Sequence, residues 1–270
     1  MTIESSQEII ERAIAEHSPY AIVAMISGGN DSLCAYLVAR ELATPISHIM
    51  HGVTGTGIAE TTAFVRQFAE RETPTYIEAN AGSSYINYIN RKGFFGRGMQ
   101  AHAFAYHILK REHFGKAISR HIRQRQRNRR VLLINGARVQ ESANRAKNLS
   151  QPIRVDGNNV WVNIIHDWGK DERDAFLENK GAPCNPVTQL LCRSGECLCG
   201  TSQSSATREE AAFFFPEWGK WLDELERPIK AKFGWGWGAE TPSWVAKEKA
   251  GQMRLFQPMC VDCLDEEPST

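Results

Sequence analysis

Residues 20–32 of the chain are YAIVAMISGGNDS, an apolar run that ends in a turn rich in glycine and hydroxyl side chains. The run over 20–26 has the length and apolar character of a buried strand. Glycines let the backbone turn sharply after such a strand and bring N–H groups close to a ligand, and the next helix points its positive dipole end there. The stretch therefore predicts a phosphate site at the carboxyl end of a strand, with Ser27 and Ser32 as hydroxyl donors.

The segments after this turn alternate between strand and helix patterns. Strands are predicted over 46–51, 75–78 and 131–134 with an edge strand over 161–165, and helices over 33–42, 59–71, 100–114 and 170–180. Such alternation is typical of a parallel sheet with helices on both faces. We expect an α/β fold of about five parallel strands with the ligand at their carboxyl ends.

The composition indicates a globular protein without a charge signal for one class of partner. The chain has 270 residues, 42% of them hydrophobic, and a formal net charge of +1. Its N-terminus lacks the basic and apolar regions of a signal peptide, and no apolar run approaches ~18 residues. We expect a cytoplasmic protein that does not enter a membrane.

The composition changes at Cys184. Six of the seven cysteines follow residue 183, together with many Trp, Gly and Phe residues. We therefore expect a nucleotide-binding domain over 1–183 and a Cys- and Trp-rich C-terminal subdomain over 184–270. The alternative is a plain pair of C-terminal helices with aromatic packing.

The late cysteines form a candidate metal site. They lie at Cys192, Cys197, Cys199, Cys260 and Cys263. Thiolates clustered in a reducing compartment usually bind zinc or an iron–sulfur cluster, and ligand type alone does not separate the two. A catalytic dithiol is the alternative. Cys184 is a weaker sixth candidate because it adjoins a proline-containing turn.

Two arginine-bearing segments are candidate anion sites. Residues 134–145, INGARVQESANR, follow a predicted strand, and Arg138 and Arg145 there could bind phosphate or sulfonate groups. The alternative is ion pairing along a helix surface.

Residues 116–130, KAISRHIRQRQRNRR, carry seven Lys and Arg residues and no acid. On a helix, Arg120, Arg123, Arg127 and Arg130 would share one face that suits a polyanion such as DNA. A solvated helix is the alternative. Just upstream, Lys92 and Arg97 lie among glycines in a loop that could close over a nucleotide.

Four segments resemble known families. SGGNDS at 27–32 matches the SGGxDS signature of the PP-loop, or N-type, ATP pyrophosphatases. The three other segments are similar to parts of the phosphoadenylyl-sulfate (PAPS) reductase family: HGVTGTGIAET at 51–61, GARVQESANR at 136–145, and NIIHDW at 163–168 followed by CNPVTQLL at 184–191. The matching residues of the first two are Thr54, Gly55, Glu60, Thr61, Gly136, Arg138, Glu141, Ser142 and Arg145.

The resemblance implies an adenine nucleotide alpha hydrolase-like fold that binds ATP. The nucleotide-binding residues would be Ser27, Gly28, Gly29, Asn30, Asp31, Ser32, Thr54, Gly55, Gly136, Arg138, Glu141 and Ser142. Asp31 would lie near Mg²⁺, and Arg138 and Arg145 would stabilise charge on departing pyrophosphate, which makes these three the candidate catalytic residues.

The same resemblance implies a reaction. ATP would adenylylate an acceptor, and a sulfur species held at a [4Fe–4S] cluster would displace AMP. The cysteine cluster is similar to that of the sulfur-transfer proteins of DNA phosphorothioation (the Dnd and Ssp systems). A sulfur donor resembling a cysteine desulfurase is the expected partner, with DNA and a second copy of the chain as further candidates.

Two other functions remain open. In a PAPS or APS reductase the same turn binds the sulfonucleotide and a thiol attacks its sulfate sulfur, although the Glu-Cys-Gly-Leu-His type of motif of such reductases is missing from this sequence. In a zinc-stabilised nucleic-acid-binding module, the pocket would have lost catalysis.

Overall fold

A computed structural model describes residues 2–141 and 149–240, which contain a six-stranded sheet. The strand order is β3-β2-β1-β4-β6-β5, and every neighbouring pair is parallel except β5 with β6. The strands are β1 Ala21–Met25, β2 His48–Val53, β3 Thr75–Asn80, β4 Val131–Asn135, β5 Ile153–Asp156 and β6 Asn159–Asn163. The predicted α/β fold with a mostly parallel sheet is confirmed.

The helices alternate with the strands and continue beyond the sheet. They are α1 Thr2–His17, α2 Asn30–Glu41, α3 Ala59–Ala69, α4 Ser84–Lys92, α5 Met99–Tyr106, α6 Glu112–Ala117, α7 Lys170–Asn179, α8 Pro186–Leu191, α9 Ser205–Phe214 and α10 Pro216–Phe233. Two π-helical turns, His107–Arg111 and Ile118–Ile122, connect α5 and α6 into one helical run over 99–122. None of the helices in the described residues is long and apolar enough to cross a membrane.

Alternation along the inner strands buries both faces of the sheet. On β4, Leu132 and Ile134 pack into a cluster with Ile10 of α1. Val131 and Leu133 pack on the opposite face with Ile118 of the long helical run. All five residues of β1 are buried, as expected for a central parallel strand.

The predicted edge strand over 161–165 is wrong in both bounds and place. The structure places β6 between β4 and β5, so β6 is an inner strand and β5 is the edge. β5 has a polar, half-exposed pattern, and its antiparallel pairing with β6 runs through a turn with Gly157 at a φ of 60°. Short polar edge strands give little hydrophobic periodicity, which is why the sequence does not predict β5.

The arginine-rich stretch is not a helical face. The helical run ends at Ile122, and Gln124 and Arg125 have positive φ angles of 49° and 67°. Arg127 and Arg130 therefore lie in a loop that leads into β4, at the amino ends of the strands. The predicted single face of Arg120, Arg123, Arg127 and Arg130 is wrong because the backbone reverses within it.

Arg123 has a structural role in this loop. Its guanidinium donates hydrogen bonds to the carbonyl of Arg129 at 2.8 Å, to the carbonyl of Asn158 at 2.7 Å and to Oδ1 of Asn159 at 2.6 Å. These bonds connect the loop to the start of β6. A guanidinium used in this way has little capacity left for a polyanion.

Residues 184–240 pack against the helices of the preceding region. Two indoles donate hydrogen bonds to backbone carbonyls across this contact, Trp218 to Thr56 at 3.1 Å and Trp235 to Phe94 at 3.1 Å, and Trp237 donates to the carbonyl of Leu198 within the region at 2.9 Å. All three rings belong to one buried cluster that also contains residues of α4 and α5. The domain division at residue 184 stays a prediction.

The backbone after β4 contacts the first turn of α2 directly. A Cβ on Gly136 would lie 2.2 Å from the carbonyl oxygen of Asp31. We expect Gly136→Ala to lower the free energy of unfolding by about 1–3 kcal/mol, the usual cost of overpacking. Urea-induced unfolding measures this change.

Gly115→Ala is the matched control. Gly115 lies in α6, and a Cβ there would have no heavy atom within 4 Å. The substitution should raise the free energy of unfolding by up to about 1 kcal/mol through helix propensity. Equal stability of the two variants would contradict the close approach at Gly136.

Candidate functional site

The turn between β1 and α2 is held by its two serines. The Ser32 hydroxyl donates to the carbonyl of Gly29 at 2.9 Å and accepts from the backbone N–H of Ser27 at 3.1 Å. The hydroxyls of Ser27 and Ser32 are 3.1 Å apart. Gly28 has a φ of 82°, a left-handed conformation that favours glycine. The conformation of the turn is therefore fixed by hydrogen bonds between its own residues.

A second segment fixes the same turn from outside. The carbonyl of Gly28 accepts hydrogen bonds from Asn185 Nδ2 at 2.9 Å and from Thr188 Oγ1 at 3.1 Å. Asn185 Nδ2 also lies 3.2 Å from Thr61 Oγ1, and its Oδ1 caps α8 by accepting from Val187 N–H at 3.0 Å. Asn185 thus links the turn, α3 and the start of the cysteine-bearing region.

Asp31 accepts two guanidinium groups on one oxygen. Arg138 Nε and Arg173 Nη1 each lie 2.7 Å from Asp31 Oδ1. Arg138 is buried and also donates to the carbonyl of Trp168 at 3.3 Å. Burial lowers the pKa of Arg173, but the hydrogen bonds that it donates to Asp31 and Asp174 outweigh this effect, so its pKa is raised. The sequence placed Asp31 beside Mg²⁺, whereas the structure pairs it with two cations.

One cleft of about 1960 Å³ opens at the carboxyl ends of the strands. It joins the Ser27–Ser32 turn to the cysteine loop at 192–199. The basic residues along its wall are Arg97, Lys110, Arg154, Lys170, Arg173 and Arg193, and the acidic ones are Asp31, Glu141, Asp174, Glu196 and Glu240. The cleft is thus lined by the Ser27–Ser32 turn, by thiols and by charged side chains of both signs.

Some of the predicted nucleotide-binding residues line the cleft. Ser27, Gly29, Asn30, Asp31, Ser32, Gly136 and Glu141 line it. Gly28, Thr54, Gly55 and Arg138 do not. Ser142 and Arg145 lie outside the described residues.

Thr54 and Arg138 form hydrogen bonds within the protein, and their predicted ligand contacts stay a prediction. Thr54 is buried, and its hydroxyl donates to the carbonyl of Glu196 at 2.8 Å. Arg138 is held by Asp31, so it positions the first turn of α2, and it is not part of the cleft lining. Each of the two side chains bonds to a segment distant in sequence, Thr54 to Glu196 and Arg138 to Asp31. Both therefore stabilise the backbone around the cleft.

Cys197 and Cys199 form a buried thiol pair at one end of the cleft. A hydrogen bond from Cys197 lowers the pKa of Cys199 to about 6, and the Thr201 hydroxyl, 3.3 Å from Cys199 Sγ, contributes. The pKa of Cys197 is raised well above its usual value by that hydrogen bond and by burial. The Thr56 hydroxyl lies 3.8 Å from Cys197 Sγ. Cys199 is therefore the more acidic thiol of the pair.

The described residues do not complete the predicted metal site. Cys192 lines the cleft but is exposed, at a φ of 53° after α8. Within 2–141 and 149–240, no group of three or more His, Cys, Asp or Glu side chains could hold a metal ion. Cys260 and Cys263 lie outside these ranges. Two thiols alone do not fit a tetrahedral zinc or [4Fe–4S] site, which takes four ligands.

A buried ion pair lies beside the thiols. Lys110 Nζ lies 2.9 Å from Glu196 Oε2, and both residues line the cleft. Burial alone would lower the pKa of Lys110, but the charge of Glu196 outweighs it and the pKa is raised. Lys110 is thus a cation inside the site.

The glycine-rich loop upstream is tied to the same region. Arg97 N–H donates to the carbonyl of Ala239 at 3.2 Å, and Gly98 N–H to the carbonyl of Thr201 at 3.1 Å. Arg97 lines the cleft, whereas Lys92, the last residue of α4, does not. These bonds anchor the loop at the cleft wall.

Several residues of the cleft are missing from the sequence-based set, and three of them matter for its chemistry or shape. They are Lys110, Trp161 and Arg173. Arg173 carried a signal, since a cation in the first turn of a helix opposes the dipole and calls for an acidic partner. Lys110 carried none, because its direction depends on a π-helical turn.

A family model described as "Phosphoadenosine phosphosulfate reductase domain" matches residues 21–202, which include the turn and the thiol pair. No curated protein matches the sequence. FMN adenylyltransferase from Candida glabrata, in complex with FAD and inorganic pyrophosphate, is similar in structure, with a TM-score of 0.50 and 13% identity over 70% of this chain and 60% of that chain. This likeness confirms the predicted fold class.

Two other solved structures have lower TM-scores. Phosphoadenylyl-sulfate reductase from Candida auris, a phosphate complex, gives 0.47 at 16% identity over 68% of this chain and 84% of that chain. A U34-tRNA thiolase from Methanococcus maripaludis with its [4Fe-4S] cluster gives 0.44 at 14% identity over 85% of this chain and 78% of that chain.

The lowered pKa of Cys199 leads to a testable prediction. The thiolate absorbance attributable to Cys199, obtained as wild type minus Cys199→Ser, should rise with a midpoint near pH 6. Cys197→Ala removes the main hydrogen bond that lowers this pKa and should move the midpoint toward the ordinary value of 9.0. An unmoved midpoint in Cys197→Ala would show that the pair does not act as described.

Proposed function

The chain belongs to the phosphoadenosine phosphosulfate reductase domain family, and we propose that it is an ATP pyrophosphatase that activates an acceptor for sulfur transfer. One observation supports the proposal above all: a single cleft contains both the Ser27–Ser32 turn and the Cys197–Cys199 pair. A nucleotide bound at the turn and a sulfur nucleophile at the pair would meet inside it.

The turn supplies the features that a phosphate group needs. Its backbone N–H groups and the N-terminus of α2 offer donors and a positive dipole end. Gly29 lines the cleft with an ordinary extended conformation, φ −91°, so its backbone does not require glycine. The missing side chain at Gly29 instead leaves space for a ligand close to the main chain.

The activating step uses this half of the cleft. An acceptor oxygen attacks the α-phosphorus of ATP, the bond to the bridging oxygen breaks, and pyrophosphate leaves with that electron pair. Mg²⁺ would arrive with ATP as part of the substrate. Arg173 and Lys170 line the cleft on the side of the turn and offer positive charge to the departing group.

The transfer step uses the other half. A sulfur nucleophile carried on one cysteine of the Cys197–Cys199 pair attacks the activated atom, and AMP leaves with the acceptor oxygen. The other cysteine then attacks the sulfur of its neighbour, releases the thiolated acceptor and leaves a disulfide that an external dithiol reduces. The sulfur comes from an external donor such as a cysteine desulfurase. DNA is one acceptor for this chemistry, with its backbone phosphate oxygen as the activated atom. The arginine-rich loop lies at the amino ends of the strands, away from the cleft, and does not support this choice.

A sulfonucleotide reductase is the second candidate, and the lowered pKa of Cys199 favours it. A thiolate at neutral pH can attack the sulfate sulfur of PAPS or APS and form a thiosulfonate, while the S–O bond breaks and the nucleotide leaves with the bridging oxygen. A second thiol then releases sulfite and leaves a disulfide, which an external dithiol such as thioredoxin reduces. Sulfite formation from PAPS with thioredoxin, and no pyrophosphate release from ATP, would favour this candidate.

Pyrophosphate release from ATP tests the proposed function. Wild type should release pyrophosphate and AMP in the presence of a sulfur donor and acceptor, with single-stranded and double-stranded DNA as the first acceptors tried. Gly29→Ala should raise KM for ATP at least about tenfold, because a methyl group takes the space for the phosphates. Its thermal stability should not change, since the nearest heavy atoms would lie 3.4 and 3.5 Å from the new Cβ.

Gly28→Ala is the contrasting variant. A Cβ on Gly28 would lie 2.7 Å from Thr61 Cγ2 in a left-handed conformation, so this change should lower thermal stability as well. If wild type releases no pyrophosphate with any acceptor or donor, the proposed function fails. An unchanged KM in Gly29→Ala would remove the turn from the ATP site.

Metal analysis of anaerobically purified full-length protein tests the cluster. A [4Fe–4S] cluster held by the late cysteines predicts iron and acid-labile sulfide in wild type and their loss in Cys197→Ser and Cys260→Ser. Cys184→Ser is the matched control, since Cys184 is exposed and outside the cleft. Zinc without iron, together with DNA binding and no ATP turnover, would instead favour the nucleic-acid-binding module.

A further inference from the structure

Lys110 reaches the thiol end of the cleft from a π-helical turn. It lies in the segment His107–Arg111 of the long helical run, and its side chain lines the cleft beside Glu196 and Cys197. π-helical turns inside α-helices occur frequently at functional sites because the extra residue redirects the side chains. A lysine with 20% of its side chain exposed is paired here with a glutamate at 7%.

Several segments hold the glutamate of this pair in place. A Cβ on Gly52 of β2 would lie 3.0 Å from Glu196 Oε1, and a Cβ on Gly57 would lie 2.2 Å from the carbonyl oxygen of Glu196. The hydroxyl of Thr54 donates to the same carbonyl at 2.8 Å. Glycines thus admit Glu196 at two points, and its neighbour Cys197 is positioned with it.

The ammonium of Lys110 has donors to spare. It carries three N–H donors, and in the described part of the chain Glu196 is its hydrogen-bond partner. Lys110 lines the same cleft as Cys197 and Cys199, so its positive charge favours an anionic sulfur species there. The hydrogen bond to Glu196 leaves further N–H donors of the ammonium for a second anion.

We propose that Lys110 binds the anionic terminal sulfur of a persulfide carried on the Cys197–Cys199 pair. The inference rests on the proposed function, since it names the sulfur species that the transfer step uses. A persulfide extends one bond beyond Sγ and is a stronger acid than its parent thiol, so a cation with free donors beside the pair suits it. Charge-assisted hydrogen bonds are the stronger class, and burial strengthens them further.

The loading step is balanced without an added oxidant. A cysteine thiolate attacks the outer sulfur of a donor persulfide, R–S–SH. The donor S–S bond breaks, R–S⁻ leaves with the electron pair and takes up a proton, and the cysteine holds the sulfur as a persulfide. Inorganic polysulfide replaces the donor protein in the test.

Persulfide occupancy tests the inference without ATP. Full-length protein is equilibrated with graded inorganic polysulfide, and intact mass and peptide mapping report the gain of one sulfur atom at Cys197 or Cys199. Lys110→Met should raise the half-saturating polysulfide concentration about tenfold, equivalent to about 1.4 kcal/mol. Lys110→Arg, which keeps the charge, should recover part of that affinity.

Lys116→Met is the matched control. Lys116 belongs to the same helical run, is 70% exposed and pairs with Glu112 outside the cleft. This variant should load sulfur as wild type does. Equal occupancy in Lys110→Met and wild type, or no sulfur at either cysteine in wild type, would overturn the inference.

A double variant separates sulfur binding from folding. Lys110→Met alone leaves the carboxylate of Glu196 buried and unpaired, which is destabilising by itself. Lys110→Met combined with Glu196→Gln removes that charge and should restore thermal stability, while persulfide affinity stays low. Recovery of both stability and affinity would show that Lys110 has only a structural role.

Two further readouts keep the proposals distinct. Persulfide loading that depends on Lys110, in a protein that releases no pyrophosphate, supports the inference and rejects the proposed function. Pyrophosphate release without persulfide loading does the reverse. Incubation with PAPS without thioredoxin, in which the thiolate takes the sulfonate group and the nucleotide leaves, tests the other anion: if Lys110 stabilises only that thiosulfonate adduct, the persulfide assignment is overturned in favour of the reductase chemistry.

Discussion

The site depends on one oxygen atom, Asp31 Oδ1, which accepts both Arg138 and Arg173. These arginines come from the segment after β4 and from α7, so a single carboxylate in the first turn of α2 joins three parts of the chain. Removing one partner from a buried charge group typically costs about 3–5 kcal/mol. The position of the α2 N-terminus, and with it the Ser27–Ser32 turn, is set by this arrangement.

The other half of the cleft is attached through neutral hydrogen bonds. Asn185 and Thr188 share the carbonyl of Gly28, and Thr61 donates to the carbonyl of Ser194. The cysteine loop that follows is pressed against the end of β2 by the close approach of Glu196 to Gly57. The thiols therefore lie at the same carboxyl ends of the strands as the turn. Both halves of the proposed reaction are attached to the same sheet.

The sequence predicted the parts of this molecule whose signals are local. The turn after β1 combines an apolar strand, glycines and hydroxyl donors within a few residues, and the structure places most of that turn in the cleft. Arg173 and Lys110 were missed because their roles arise from partners 142 and 86 residues away. Arg123 and Arg127 were assigned to one helical face because periodicity does not show where a helix ends when no glycine or proline marks the end.

The hydrogen bond from Asn185 to the carbonyl of Gly28 also decides when the turn can form during synthesis of the chain. The carbonyl that shapes the turn must wait for a partner 157 residues further along the chain, so the turn remains incomplete while the ribosome synthesises most of the sheet. Such a distant contact is slow to form because its loop-closure entropy is lost before the contact contributes stability. A nascent chain that ends before α8 would carry the strands and the glycines but not the finished turn, so the finished turn forms late in synthesis, together with the thiols.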